Sequence, residues 1–371
     1  MKKKILINGR FTSHHFAIRN VVFNITKELS AKDDLDVYVI LNKDSDYKDF
    51  LNLNIKIILN PVKADNAILN HLYTIFILPF LLISKQFKLV VYPQICIYLF
   101  NPCKTILYIN DLIEFYVESQ RKIQLMFRKV SYPYICKHAD HIMTISQNTK
   151  KDLIKIFNVV EKKITVAYIG YSDSIFPIAK KQAEEFIANK YEVKDFIFYI
   201  GYITHPQKNL IYLADEFVIA KKIFPNLSLV FAGPKGKDAD MILNHITDIG
   251  LGGSFYYLGK IPSEDIKYLY SACRIFCFPS LYEGFGMPVL EAMACEAYVI
   301  TSNVSSMPEI INDEDFLINP HIVGELSKKM IEILSGKANE QSPIKNRERA
   351  KMFTWASHVN ALHQVINNLI R

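Results

Sequence analysis

Short apolar runs alternate with helical stretches along almost the whole chain, and this alternation most restricts the fold. Residues 4–8, 37–41, 89–92 and 105–109 are examples, each bounded by polar turns. Continuous apolar runs are typical of strands buried on both faces, and their alternation with helices predicts parallel βαβ units. Because 371 residues exceed what one core usually organises, we expect two α/β domains.

A segment without strand periodicity separates the two predicted domains. We assign residues 1–170 to the first domain, 171–190 to a linker and 191–353 to the second. The end of the chain has apolar residues at helical spacing and no strand after them. We therefore expect residues 354–371 to form a helix that packs back onto the first domain.

The stretch 278–291 combines a predicted strand end, a glycine-containing loop and a helix that begins at Pro288. Glu283 lies in the loop and Glu291 in the first helical turn. A helix N-terminus offers N–H groups and a positive dipole end to a phosphate, while carboxylates accept hydrogen bonds from hydroxyls. The pattern predicts a site for a sugar joined to a nucleotide diphosphate. The alternative is that both carboxylates are only solvated or offset the helix dipole.

Two further candidates follow predicted strands. Lys208 stands at the entrance of a predicted helix and is a candidate diphosphate clamp, although surface lysines are common. Asn110 and Asp111 follow the run 105–109, where an open parallel sheet presents strand ends to a ligand crevice. A helix-capping role for Asp111 is an equally good interpretation.

Positive charge is concentrated in the first half of the chain. Residues 1–170 contain 24 Lys and Arg against 14 Asp and Glu, whereas the remainder contains 20 against 23. This distribution predicts an anionic partner, either a membrane surface or an acceptor with phosphate, unless it is only a solvated basic face. We do not expect nucleic-acid binding, because no nucleic-acid motif accompanies the charge.

The most apolar segment, residues 72–83, contains Pro79 and is too short to span a bilayer. It is either a buried helix or a shallow membrane-contacting element.

Cysteine usage and the start of the chain indicate a cytoplasmic protein. The six cysteines lack paired spacing, which favours free thiols in a reducing compartment, and residues 1–8 lead into a strand instead of a signal peptide. Contact with the inner face of the cell membrane stays open. Cys273 and Cys277 have no nearby histidine, and Asp238 and Asp240 look like a helix start. We therefore expect neither a metal nor another cofactor.

The stretch Glu283-Gly-Phe-Gly-Met-Pro-Val-Leu-Glu291 resembles the E-x7-E signature of the family-4 retaining glycosyltransferases. Segments 5–10, 139–153, 201–209 and 302–309 are also similar to those of bacterial polysaccharide mannosyltransferases of this family. The resemblance covers most of the chain. It implies the GT-B fold, in which two Rossmann-like doubly wound domains face a central cleft.

The resemblance also implies residue roles. Glu283 would contact donor-sugar hydroxyls, Glu291 the ribose and Lys208 the diphosphate, while Asn110 and Asp111 would line the acceptor side. The amides of Val289 and Leu290 would reach phosphate oxygens. The other residues expected to border the donor are Gly284, Phe285, Gly286, Met287, Pro288, Gly233, Lys260 and Ile261.

Four positions and one segment depart from the family pattern, and the segment is the glycine-rich stretch that usually follows the first strand, which residues 14–20 replace here. Tyr202 and Gln207 stand where a phosphate-binding cation is usual, Asn110 replaces a histidine, and Glu296 begins a segment that usually reads GTP or GCP. Asparagine can donate a hydrogen bond but cannot act as an acid or base near neutral pH. The predicted donor half is therefore better matched than the acceptor half.

The expected reaction is transfer of a hexosyl group, with retention, from a nucleotide diphosphate sugar to a saccharide or lipid-linked saccharide of a bacterial surface polysaccharide such as lipopolysaccharide. GDP-mannose is the first candidate donor and UDP-hexoses are the second. Two alternatives stay open: a non-catalytic protein that binds nucleotide sugar or scaffolds an assembly complex, and another GT-B enzyme such as a sugar-nucleotide epimerase or a phosphorylase.

Overall fold

The computed structural model describes residues 2–10, 16–43, 47–63, 66–117 and 122–371. Its contacts divide the chain into two compact units, which are described separately below. The first consists of Met1–Leu112, Ser119–Gly170 and Thr354–Arg371, and the second of Ile113–Glu118 and Tyr171–Phe353.

The first unit contains a parallel sheet built from seven described strands. The strands are β1 (Lys3–Asn8), β2 (Leu35–Asn42), β3 (Lys56–Asn60), β4 (Leu89–Tyr92), β5 (Lys104–Tyr108), β6 (His141–Thr144) and β7 (Ile164–Val166). They are arranged in the order β3-β2-β1-β4-β5-β6-β7. Strands β1 and β4 are neighbours, so the connections run outward in opposite directions from this point.

The second unit has the same kind of sheet, with six described strands. The strands are β8 (Phe196–Ile200), β9 (Ser228–Ala232), β10 (Phe255–Tyr257), β11 (Ile275–Phe278), β12 (Val299–Ser302) and β13 (Leu317–Ile318). Their order is β10-β9-β8-β11-β12-β13. The described strands of both sheets pair in parallel, and β4, β8, β9 and β11 are almost entirely buried.

Helices connect the strands in both units. The α-helices are α1 (Phe16–Ser30), α2 (Ala67–Leu72), α3 (Leu78–Ser84), α4 (Lys122–His138), α5 (Gln147–Phe157), α6 (Lys180–Tyr191), α7 (Leu210–Ile223), α8 (Ala239–Asp248), α9 (Ile266–Ala272), α10 (Met287–Ala294), α11 (Met307–Ile310), α12 (Glu325–Leu334), α13 (Ser342–Ala350) and α14 (Trp355–Leu369). A π-helical turn, Tyr73–Ile77, joins α2 to α3. Short 3₁₀ turns span Lys48–Asn52, Ile113–Phe115, Glu161–Lys163 and Glu314–Phe316.

The predicted α/β class with two Rossmann-like parallel sheets is confirmed. The structure differs from the sequence interpretation in the segment assigned to the linker. Helix α6 lies largely within that segment, and its Ala183 and Ile187 are fully buried against the second unit. The periodicity of strands was absent there because the first half of the segment has no regular secondary structure and the second half is helical, with Ala183 and Ile187 as its buried positions.

Residues 72–83 form the π turn and most of α3. Leu78 and Leu82 are buried, whereas Phe76, Phe80 and Ile83 are exposed. Within the described ranges, no helix combines the length and apolarity needed to cross a bilayer.

Helix α14 completes the core of the first unit. Its Val359, Leu362 and Ile366 are buried with Val22 and Ile25 of α1. The sheet face under α1 would otherwise be only partly covered, so the last residues of the chain contribute directly to the stability of the unit that contains the first strand.

His358 of α14 is a buried polar group within this core. Its Nδ1 lies 2.9 Å from the Ala167 carbonyl, and its Nε2 lies 2.9 Å from the Tyr108 hydroxyl. The carbonyl can only accept, so Nδ1 donates to it, and in the neutral imidazole that burial favours Nε2 accepts from the Tyr108 hydroxyl. Burial lowers the pKa of His358 from 6.5 to about 4.

We predict that this histidine makes the first unit less stable as pH falls. The unfolded histidine binds a proton below its normal pKa while the folded one does not, so stability is lost between about pH 6.5 and 4. The free energy of unfolding of the wild type should fall by about 2 kcal/mol between about pH 7.5 and pH 5 because of this histidine, and His358→Gln should abolish that decrease. Denaturant unfolding followed by fluorescence of Trp355, the single tryptophan of the chain, measures this unit.

The matched control is His321→Gln, at an exposed position of the second unit, which should leave the pH dependence unchanged. An unaltered pH dependence in His358→Gln would contradict the assignment.

Candidate functional site

The direct pairing of β8 with β11 positions the candidate site in the second unit. These strands are neighbours through Ile197–Ile275 and Phe198–Phe276, although they are distant in sequence. The chain leaves β8 toward one edge of the sheet and β11 toward the other, so the loops that follow them diverge. Ligands of open α/β sheets bind in the crevice at such a switch of strand order. Lys208 and Glu283 lie in these two loops.

Lys208 and Glu283 form an ion pair. Lys208 Nζ lies 2.5 Å from Glu283 Oε1, and both side chains are 13% exposed. The ammonium group also lies 5.1 Å from the centre of the Phe278 ring, which attracts it through the negative face of the aromatic system. The structure therefore brings together the predicted phosphate clamp and the predicted sugar-binding carboxylate.

Gln207 connects the same two loops. Its carbonyl accepts from the Leu281 amide at 2.8 Å, and its side-chain Nε2 donates to the Tyr282 carbonyl at 3.1 Å. The glutamine at a position where the family pattern has a cation thus has a structural role, since it fixes the loop that carries Glu283.

Two serines hold the Glu283 backbone from the other side. Ser305 Oγ accepts from the Glu283 amide at 3.1 Å, and Ser306 Oγ is 3.0 Å from the Glu283 carbonyl and 2.9 Å from the Phe285 carbonyl. These serines belong to segment 302–309, so its resemblance to the family pattern corresponds to a contact with the E-x7-E loop. The carboxylate is therefore presented by a loop with restricted freedom.

Gly286 makes the turn into α10. Its φ is +109°, a conformation that favours glycine, and a Cβ atom there would lie 2.4 Å from Met307 Cε. Helix α10 begins at Met287, one residue before the predicted start. Consequently the Val289 and Leu290 amides already donate to the Gly286 carbonyl, at 3.0 and 3.3 Å. The two amides that we expected to reach phosphate are thus used inside the helix.

Glu291 lies in α10, beside the fully buried Tyr270. The Tyr270 hydroxyl donates to Glu291 Oε2 at 3.1 Å. Burial raises the pKa of Glu291 to about 7, although the hydrogen bond opposes part of the shift. The side chain keeps some contact with solvent. Its carboxyl group can therefore be neutral or ionised near neutral pH. Because the side chain is partly exposed, a ligand can contact it.

Three glycines follow neighbouring strands at the same edge of the sheet. A Cβ atom on Gly233 would lie 2.1 Å from the Gly201 carbonyl oxygen, and the Gly233 amide donates to the Gly259 carbonyl at 2.7 Å. The backbone turns are thus packed directly against each other. Lys260, which is exposed, and Ile261, which is buried, follow Gly259. The predicted base-bordering residues therefore share one edge of the sheet.

Asn110 and Asp111 lie in the first unit, directly after β5. The Asn110 carbonyl accepts from Thr149 Oγ1 at 3.2 Å, while its side-chain Oδ1 is buried without a hydrogen-bond partner among the described residues. A buried carbonyl oxygen without a donor is uncommon in folded proteins. Asp111 is partly exposed at the same strand end. Their predicted acceptor-side role stays a prediction.

The other two departures from the family pattern lie at different places. Tyr202 is 58% exposed, and its carbonyl accepts from the Tyr199 hydroxyl at 3.0 Å. Glu296 has a φ of +58° after α10, and its carboxylate pairs with Arg347 at 2.7 Å. Glu296 therefore supports the packing of α13 near the end of α10, where the family usually has a glycine.

Sequence reasoning missed an aromatic contact beside Glu283. Tyr116 stacks on Tyr282 with ring centres 4.9 Å apart and planes 17° apart. Tyr116 belongs to Ile113–Glu118, which the contacts assign to the second unit although the segment follows Asp111 in sequence. The sequence signal was only a tyrosine next to Glu283, which does not identify a partner.

Within the part of the chain that the structure describes, no cluster of three or more His, Cys, Asp or Glu side chains is arranged to hold a metal ion. Asp240 is paired with Lys235 at 2.8 Å.

Two family models match the chain, and together they account for most of it. The model described as "Glycosyltransferase Family 4" matches residues 18–174, and the model described as "Glycosyl transferases group 1" matches residues 180–351. The second match contains all the residues predicted to border the donor.

Curated relatives include mannosyltransferases of bacterial O-antigen. The chain is 30% identical to O-antigen chain mannosyltransferase B of Escherichia coli over 61% of this chain and 59% of that protein. It is 28% identical to the serotype-specific mannosyltransferase WbdA of the same organism over 73% of this chain and 34% of that protein. It is 26% identical to O-antigen chain mannosyltransferase RfbU of Salmonella typhimurium over 57% of this chain and 56% of that protein. The matches therefore span about a third to three fifths of these relatives.

Solved structures with the same fold cover nearly the whole chain. Sucrose-phosphate synthase from Thermosynechococcus elongatus has a TM-score of 0.79 at 18% identity, with 99% of each chain covered. Anabaena HepE, in complex with UDP and glucose, has a TM-score of 0.74 at 16% identity, with 99% of this chain and 100% of that chain covered. At these identities the likeness concerns the fold alone.

We predict that Gly286→Ala destabilises the second unit by about 1–3 kcal/mol, because the new Cβ meets Met307 and the positive φ becomes strained. Thermal unfolding followed by circular dichroism measures the change. Gly253→Ala is the matched control, since nothing lies within 4 Å of a Cβ placed there. Equal losses in both variants would show that the turn at Gly286 has no special requirement.

Proposed function

We propose, because the chain belongs to the glycosyltransferases of group 1 and family 4, that it is a hexosyltransferase of surface polysaccharide synthesis. It transfers a hexosyl group from a nucleotide diphosphate sugar to a saccharide or lipid-linked saccharide. The observation that carries this proposal is the Lys208–Glu283 ion pair at the switch of strand order. The pair lies directly before the N-terminus of α10, the helix that contains Glu291.

The donor is proposed to be a mannosyl nucleotide, with GDP-mannose first. The similarity to O-antigen mannosyltransferases supports mannose. A UDP-hexose is second, because HepE, a protein of the same fold, has been solved with UDP. Lys208 binds the diphosphate, Glu283 the sugar hydroxyls and Glu291 the ribose, while Gly233, Lys260 and Ile261 border the base.

Lys208 and Glu283 have different roles in the proposed reaction: Lys208 stabilises the leaving diphosphate and Glu283 binds the sugar. Negative charge develops on the leaving diphosphate, and the Lys208 ammonium and the start of α10 are placed to stabilise it without a metal or another cofactor. Glu283 accepts hydrogen bonds from the sugar and keeps Lys208 in position before the donor arrives. The donor phosphate oxygen takes the proton of the incoming hydroxyl, and the configuration at the transferred carbon is retained.

The acceptor side is assigned to the first unit. Asn110 and Asp111 lie at the end of β5, and Asn110 Oδ1 is buried with no hydrogen-bond partner in the described residues. The partly exposed Asp111 carboxylate can accept from a hydroxyl of the acceptor. The net positive charge of residues 1–170 suits a phosphate-bearing lipid acceptor, and we place the protein at the cytoplasmic face of the membrane.

A nucleotide-sugar-binding protein without transferase activity is the second candidate. The observation that favours it is the absence of an acid or base at position 110, combined with an exposed tyrosine at position 202 in place of a cation. Donor binding would then occur without turnover.

We predict that radiolabelled sugar from GDP-mannose is incorporated into a lipid extract of the source cells, and that Lys208→Ala lowers the rate by at least about 100-fold. Scintillation counting of the extracted product measures transfer. Lys235→Ala, which alters an exposed ion pair of the same unit, is the control. Calorimetric donor binding with no turnover over a broad acceptor panel would favour the second candidate, and no binding of any nucleotide sugar would reject both.

We also predict that donor affinity depends on the ionisation of Glu291. Ribose hydroxyls donate to the carboxylate, so binding favours the ionised form, and a pKa of about 7 predicts roughly tenfold tighter binding at pH 8 than at pH 6. Three groups near Glu291 stay neutral in this range, because burial raises the pKa values of Tyr270, Cys273 and Cys295. Calorimetric titration at several pH values measures the slope.

Glu291→Gln should bind more weakly at pH 8 and lose the pH dependence. Lys208→Ala should weaken binding at every pH and keep the dependence. A slope that survives in Glu291→Gln would show that another group titrates.

A further inference from the structure

The helical segment 67–84 has an apolar side that faces solvent. Asn70, Thr74, Leu78 and Leu82 point into the first unit and are buried, as expected for an inward face with helical spacing. The opposite side carries large apolar side chains, where a solvent-exposed helix normally carries charge. These are Ile68, Leu69, Leu72, Phe76, Ile77, Phe80 and Ile83, each 43–74% exposed.

Helix α4 and the loop before β5 add further exposed apolar groups. On α4 these are Met126, Phe127 and Val130, and in the loop they are Leu99 and Phe100. The Tyr134 hydroxyl donates to the Leu99 carbonyl at 2.9 Å, so the loop is attached to α4. On the other side of the loop, Cys96 contacts Thr74 of the helical segment, with Sγ and Oγ1 3.8 Å apart.

The order of strands places these elements on one face of the sheet. The connection from β3 to β4 and the connection from β5 to β6 run in the same direction along the sheet, whereas the connection from β1 to β2 runs in the opposite direction. Parallel crossovers are right-handed, so segment 67–84 and α4 lie on the same face, and α1 lies on the other face together with α14. We call the joint exposed side of segment 67–84, Leu99, Phe100 and α4 the apolar face.

The elements that form the apolar face carry no carboxylate, and Asp140, next to the loop before β5, is paired with Lys104 at 2.8 Å. From Asn66 to Asn110 the sequence contains no aspartate or glutamate, and α4 contains none either. Lys85 and Lys88 follow segment 67–84 and are exposed, as are Lys129 and Lys137 of α4. An apolar surface with exposed lysines around it matches a membrane interface, where acyl chains lie beneath anionic headgroups.

We infer that the apolar face docks onto a bilayer that contains anionic lipid, with segment 67–84 lying in the interface. The inference rests on the proposed function, since a lipid-linked acceptor would bring the enzyme to such a surface. The side chains Phe76 and Phe80 enter the boundary between headgroups and acyl chains, and the four lysines contact the headgroups. A helix of this kind lies on the membrane and does not span it.

A second copy of the chain is a poorer occupant of the same face. A symmetric contact would bring two sets of the same lysines together with no carboxylates from segment 67–84 or α4 between them. The repulsion between like charges opposes that contact, whereas the same charges attract an anionic lipid surface.

Vesicle flotation tests the inference. The full chain should bind vesicles of phosphatidylethanolamine and phosphatidylglycerol at least about tenfold more tightly than vesicles of phosphatidylcholine, and added salt should weaken the binding. Phe76→Ser combined with Phe80→Ser should reduce binding at least about tenfold. The matched control combines Ile322→Ser and Val323→Ser, which removes exposed apolar groups from the second unit and should leave binding unchanged.

A conservative variant tests the contact itself. Phe80→Trp keeps an aromatic group at the surface, and its fluorescence should shift to shorter wavelength on addition of the anionic vesicles. Val323→Trp should show no shift. An unshifted spectrum of Phe80→Trp, equal binding of the serine variants and the wild type, or concentration-dependent dimers that disappear in the Phe76 and Phe80 variant would each overturn the inference.

Calorimetric titration with GDP-mannose and UDP-glucose separates this inference from the proposed function. Donor binding and transfer to a water-soluble oligosaccharide should be unchanged in the Phe76 and Phe80 variant. Vesicle binding without donor binding would leave the docking surface standing and reject the proposed function. Donor binding and transfer without vesicle binding would support the proposed function and reject the docking surface.

Discussion

The pairing of β8 with β11 is the constraint on which the geometry of the candidate site depends. Parallel pairing aligns the carboxyl ends of the two strands, and the reversal of strand order makes their loops diverge. Lys208 and Glu283 meet only because of this pairing, since 74 residues separate them in sequence. The serine contacts to the Glu283 backbone and the turn at Gly286 then fix the carboxylate and the helix start. Changes in the packing of β8 against β11 would therefore act on the site without touching a site residue.

Much of this arrangement could be predicted because it depends on local patterns. Buried parallel strands give continuous apolar runs, and glycines at strand ends are required by close backbone contacts such as Gly233 on Gly201. The missed features depend on contacts between distant segments. Helix α6 has too few strongly apolar positions to be distinguished from a linker, and Tyr116 has no local signal for its stack on Tyr282. The hydrogen bonds of the Val289 and Leu290 amides to the Gly286 carbonyl depend on where α10 begins, a boundary that sequence patterns place only to within one or two residues, and the contact of these amides with phosphate stays a prediction.

The departures from the family pattern have different physical meanings. Gln207 and Glu296 make contacts that support neighbouring elements, so their side chains are accounted for by structure. Tyr202 is largely exposed and contributes only a backbone contact that any residue could make. Asn110 is different, because its side-chain oxygen is buried and no described residue donates to it. A histidine there would titrate near neutral pH, whereas an amide only donates and accepts hydrogen bonds, so the departure changes the available chemistry.

The two units use charge and apolar surface in different ways. The second unit is weakly acidic overall, yet it places a lysine at 13% exposure beside a carboxylate. Such a pair costs desolvation energy on both sides, and a bound diphosphate would recover part of that cost by adding charge to the same cation. The first unit instead places its lysines at the surface, around large apolar groups that remain exposed. Hydration of those groups is unfavourable, so this face is more stable when covered, and a basic border restricts the covering surface to one with negative charge.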